Sequence, residues 1–163
     1  MFQDKSLKCL MNNYSKPGMV EWIGLRKESG ERLEEVDLVN VSIEKRLEGD
    51  HYHGTNRKRQ ITLIQKEHIA AVSAMMGGEE INPQLLRRNL VISGLNLLAL
   101  KDKRFKIGTV VLEMTGLCHP CSRMEKNLGI GGYNAMRSHG GITARVLEDG
   151  KIKKGDKLQV IED

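Results

Sequence analysis

The rhythm of apolar residues limits most what this chain can fold into. Short extended runs follow one another between Gly, Asn, Asp and Pro, and helical periodicity is rare. Met19 to Lys27 reads as a strand, and Val36 to Ile43 carries apolar groups on both faces, as a central strand does. Ile61 to Ile64 is a short buried strand. Gln65 to Met76 follows as the clearest helix, with Ile69, Val72 and Met76 three and four apart and Gly77-Gly78 as its stop. Asn82-Pro83 predicts a second, short helix to Asn89. Leu90 to Ile92 is extended, and Phe105 to Met114 is the longest strand signal, interrupted by Gly108. Thr143 to Leu147 and Leu158 to Ile161 close the chain as strands. Such elements do not alternate as β-α-β-α. The expected fold is therefore mainly β: an antiparallel β-barrel with a few short helices, one domain over 1–163 with its core at about 18–161.

Composition narrows the partners. Aromatics are 4% of the chain, too few for a platform that stacks single-stranded nucleic acid, so no nucleic-acid partner is expected. The net charge of +5 favours anionic ligands mildly and is equally that of an ordinary soluble surface. No apolar run approaches the ~20 residues of a membrane span. Asp4, Lys5 and Lys8 leave the first ten positions without the apolar segment of a signal peptide. Three cysteines without an export signal point to a reducing cytoplasm, where Cys-x-x-Cys is a metal or catalytic motif before it is a disulfide.

That motif, Cys118-His119-Pro120-Cys121, lies between a strand that turns at Gly116 and a helix expected over Ser122 to Leu128, ended by Gly129. A thiolate there would face unpaired backbone N–H groups, and thiolate is the form that binds metals and attacks electrophiles. The residues alone leave several readings open. The cysteines could be small core groups, half of a zinc site completed by His51 and His53, a dithiol redox pair, or one thiolate ligand to a cofactor metal. His51-x-His53 on an extended chain would point to opposite sides, which suits zinc poorly. A dithiol domain of the thioredoxin type would need a β-α-β pattern missing here.

Two further stretches carry candidate residues. In the loop Glu48 to Gly54, glycines allow close backbone approach and His53 can donate or accept near neutral pH. Arg57-Lys58-Arg59 follows, and Arg59 can grip a phosphate or carboxylate with a two-pronged fork. The plainer reading is a solvated basic loop. Arg87-Arg88-Asn89, at the end of the predicted short helix, either caps it or places Arg88 and Asn89 on an anionic ligand.

Together these segments resemble the MOSC domain, named for the C-terminal part of molybdenum cofactor sulfurases. The resemblance is carried by Leu47-Glu48-Gly49-Asp50-His51-Tyr52-His53-Gly54, Arg59-Gln60-Ile61-Thr62-Leu63, Leu86-Arg87-Arg88-Asn89-Leu90-Val91 and, most strongly, Val111 to Met124. It implies a β-barrel-rich fold that binds a molybdopterin-type molybdenum cofactor. It makes Cys121 the thiolate on molybdenum and places His53, Arg59 and Asn89 along the cofactor pocket. The enzymes among such relatives reduce N-hydroxylated compounds with electrons from a donor protein. A cofactor or sulfur carrier is the non-catalytic version of that expectation. A zinc-stabilised or metal-free interaction module is the alternative from another class. No Lys sits in a recognisable pyridoxal context, so pyridoxal phosphate is not expected.

Overall fold

The computed structural model describes residues 6–28, 32–51 and 54–162. A short helix α1 (Leu7–Leu10) precedes β1 (Gly18–Leu25). Then come the two-residue β2 (Glu34–Glu35), β3 (Leu38–Ser42) and β4 (Arg46–Leu47). β5 (Ile61–Gln65) leads into α2 (Lys66–Met75), and β6 (Leu90–Ser93) follows. Next are β7 (Arg104–Ile107), β8 (Val110–Leu117), α3 (Ser122–Leu128) and α4 (Gly132–Met136). β9 (Ile142–Glu148), β10 (Gly150–Lys153) and β11 (Lys157–Val160) complete the order.

Seven strands close into a barrel in the order β11-β7-β8-β9-β5-β6-β1, with β11 pairing back onto β1. β2 extends the edge of β1, and β10, β3 and β4 form a separate small sheet. The expected antiparallel barrel needs one correction. β5 and β6 run parallel, with Leu63 opposite Leu90 and Gln65 opposite Ile92, so the barrel is mixed. The cause lies in the connection: α2 returns the chain to the end from which β5 started, and a strand laid beside β5 after such a crossover runs parallel to it.

Two apolar clusters explain the layering. One fills the barrel, with Ile23, Ile61, Leu63, Leu90, Phe105, Leu112 and Ile142 among its members. The second lies outside the wall, where Trp22, Ile64 and Val91 meet Ile69 and Val72 of α2, Met124 of α3 and Met136 of α4. β5 is buried along its whole length because it faces the interior on one side and this helical layer on the other. That accounts for its unbroken apolar run.

Three local readings shift. The helix predicted from Pro83 shrinks to a 3-10 turn, Pro83–Leu85, with the Asn82 side-chain oxygen accepting from Gln84 N at 3.0 Å. The long strand signal splits into a β7–β8 hairpin at Gly108, which sits at φ 57° where a Cβ would lie 2.4 Å from Lys151 O. Gly116 does not turn the chain; it sits in β8, where the pairing with β9 shifts register.

Candidate functional site at the Cys-x-x-Cys loop

β8 delivers the motif. Its pairing with β9 continues one residue further, Cys118 N donating to Gly141 O at 2.8 Å. The chain can run this close only because Gly140 and Gly141 lack side chains. A Cβ on Gly140 would stand 2.1 Å from Cys118 O, and one on Gly141 1.9 Å from Leu63 O, with Gly141 also at φ 86°. Cys121 then caps the start of α3, its carbonyl accepting from Met124 N at 2.9 Å. Met124 is wholly buried and fastens α3 to the outer apolar layer. The two thiols therefore differ. Cys118 is buried and accepts a hydrogen bond from Arg59 Nη2 at 3.7 Å, whereas Cys121 is exposed.

Beside Cys121 opens a cavity of about 470 Å³, within the size range of small-molecule sites. Its wall holds Arg26, Arg59, Arg87, Arg88, Arg123, Asn89, Gln60, Thr62, His119 and Cys121, and among the described residues its one carboxylate is that of Asp50. Arg26 follows β1, and Asp50 Oδ1 accepts from its backbone N–H at 2.8 Å, so that carboxylate is bound to backbone. Arg59 ends a 3-10 turn, Arg57–Arg59, begun by the Asn56 side chain and held to β9 by Gln60 N donating to Ala144 O at 3.1 Å.

Residues 87 to 89 do two jobs. Arg87 has φ 60°, a left-handed conformation that costs a side-chain-bearing residue roughly 1–2 kcal/mol. It breaks the alternation of an extended chain, so consecutive arginines line the same cavity. Arg88 is buried and acts as a clamp. Its Nε donates to Gly140 O at 2.8 Å, Nη1 to Leu86 O at 2.9 Å, and Nη2 reaches the carbonyls of Cys118 and His119 at 3.4 Å. Asn89 joins three strands: its oxygen accepts from Thr62 N at 3.2 Å and Thr62 Oγ1 at 3.1 Å, and its Nδ2 donates to Gly24 O at 3.2 Å.

The remaining guanidinium groups are left without direct partners among the described residues. Among the described residues, no hydrogen-bond acceptor or ion-pair partner meets the guanidinium groups of Arg26, Arg87 and Arg123, and Nε of Arg26 is buried without a partner. Burial first, then the charges of Arg26 and Arg123, lower the affinity of Arg87 for its proton. The arrangement is built to accept anions next to an exposed thiol.

A model of the MOSC domain family matches residues 49–159. The chain belongs to the MOSC domain family. Solved structures agree at the level of fold. The YuaD protein of Bacillus subtilis aligns with TM-score 0.78 at 19% identity, covering 89% of this chain and 96% of YuaD. YiiM of Geobacillus stearothermophilus aligns with TM-score 0.71 at 20% identity, covering 90% of this chain and 76% of that one. YiiM of Escherichia coli gives 0.68 at 17% identity, over 89% and 70%. No curated protein sequence matches.

Within this MOSC fold, Arg59, Arg88, Asn89 and Cys121, all anticipated from sequence, line one cavity. His53 lies outside the described residues. Among the described residues no three His, Cys, Asp or Glu side chains gather as a metal site. Sequence reasoning missed Arg26 and Arg123 as pocket cations and passed over Arg87 in favour of its neighbours. Arg123 carried the one usable signal, its place two residues beyond Cys121 in the motif.

Proposed function

We propose that this MOSC-domain protein binds a molybdopterin-type molybdenum cofactor, with Cys121 as the thiolate ligand, and acts as a small oxidoreductase on N-hydroxylated compounds. The observation that carries the reading is the exposed Cys121 thiol opening into an arginine-lined cavity. The residues fit such a group. A soft thiolate suits a transition metal with open positions, and guanidinium groups suit a phosphate. Arg59 lies on the cavity wall to grip that phosphate. Arg88 and Asn89 serve it from behind by fixing the loop and the strands that form the wall. Bound there, the metal would supply two-electron redox chemistry, with electrons from a donor protein. The chain's own part is to hold the sulfur open to solvent and to concentrate positive charge in the cavity beside it.

Metal and pterin analysis of protein from a cofactor-competent host tests the reading. Expected is molybdenum near one atom per chain, falling to background in Cys121→Ala while thermal unfolding stays unchanged. Equal molybdenum in the variant would remove Cys121 from its role. Zinc in place of molybdenum, with unfolding on chelation, would favour a structural metal instead.

A further inference from the structure

The cavity carries more positive charge than one phosphate accounts for, and that charge falls into two groups. One group is Arg59 with Arg88, both of which bond to Cys118. Arg88 has its donors on carbonyls, and Arg59, which lines the cavity, reaches Cys118 with one nitrogen. The other group is Arg26, Arg87 and Arg123. These come from the end of β1, the left-handed residue before β6 and the first turn of α3, and no acceptor among the described residues meets them. Asp50, whose Oδ1 accepts from the Arg26 backbone N–H, brings one negative charge against these three positive ones, so the trio keeps a net positive charge. Three like charges brought together repel, and the chain also adopts a strained backbone at Arg87 to complete the set. An anion seated among them would offset both costs.

We infer that the cavity takes two phosphate-class anions at once, the first against Arg59 and the second within the trio of Arg26, Arg87 and Arg123. This deepens the cofactor reading, since one anion would then be the cofactor's phosphate. The second is either a further phosphate on the same molecule, as in a diphosphate-linked extension, or the anionic group of a separate substrate. Either source presents the same chemistry to the trio: a compact dianion that accepts several N–H bonds.

Isothermal titration of the metal-free protein at low salt, first with orthophosphate and then with pyrophosphate, tests the inference without reading metal or pterin. It can therefore succeed where molybdenum analysis fails, and the reverse. If the two anions belong to one molecule, pyrophosphate binds one per chain and roughly tenfold or more tighter than orthophosphate. If they are separate, two orthophosphates bind per chain with no pyrophosphate preference. A single orthophosphate per chain and no preference would overturn the inference. In Arg87→Asn combined with Arg123→Gln, the preference or the second equivalent disappears and the first orthophosphate is retained. Asn tolerates the left-handed backbone at position 87. Should the pair fail to fold, Arg123→Gln alone alters only an exposed side chain and is expected to weaken the same event. Wild-type isotherms in these variants would defeat the assignment. So would equal losses in Lys151→Gln with Lys157→Gln, which remove the same charge from β10 and β11.

Discussion

Replacing Arg88 would leave the carbonyl oxygens of Leu86, Cys118, His119 and Gly140 without the donor they share. Hydrogen bonds from a charged donor contribute about 1.5–3 kcal/mol, and buried acceptors left bare cost more of the same order. Arg88→Leu is therefore expected to lose about 3 kcal/mol of stability by urea unfolding. Arg88→Lys should recover little of it, because a single ammonium cannot span the fork. A stability unchanged in Arg88→Leu would refute the clamp. At this scale the sequence was legible in place more than in role. Arg88 and Asn89, expected on an anionic ligand, line the cavity, yet their polar atoms are engaged by the wall itself. Arg26 was illegible because nothing in a Leu-Arg-Lys stretch says that the loop after β4 will bring Asp50, and the approach to β6 Arg87, to the same cavity. Cys121 was legible because strand, Cys-x-x-Cys and helix start are contiguous.

The loop that carries the motif depends on the two glycines facing it across β9's approach. Gly140→Ala drives a methyl into the Cys118 carbonyl and is expected to cost about 1–3 kcal/mol, measured by thermal or urea unfolding. Gly116→Ala is the contrast, since a Cβ there would meet nothing closer than Thr143 Oγ1 at 3.6 Å; the change should stay within about 0.5 kcal/mol. Similar losses in both would mean that the close approach at Gly140 carries no weight. The strands themselves were readable because alternation and turn residues are local signals. The direction of β6 was not. It depends on whether α2 passes over the barrel wall or beside it, and the helix's sequence shows an apolar face without saying which surface that face will find.

Across the molecule, acid sensitivity should centre on α2. His68 packs its ring edge-on against that of His139, centroids 5.1 Å apart. Burial, then the charge of His139, pushes the His68 pKa below its ordinary 6.5, with Glu67 acting in the opposite sense. The unfolded chain thus binds the proton more readily. Stability is full above about pH 6.5 and is lost as pH falls through the folded value. The urea midpoint should drop between pH 7 and 5, and His68→Gln should flatten part of that drop; an identical slope in the variant would dismiss the pair. Among the described residues no helix is long and apolar enough to cross a membrane. The barrel's seam joins Gly18 to Leu158 and Met19 to Lys157, and Val20 N donates to Asp156 O at 2.9 Å. Contacts so distant along the polypeptide raise the contact order and slow the search for them. During synthesis β1 and β7 must wait with bare edges until the final strand emerges, an interval in which one nascent chain could be captured by another.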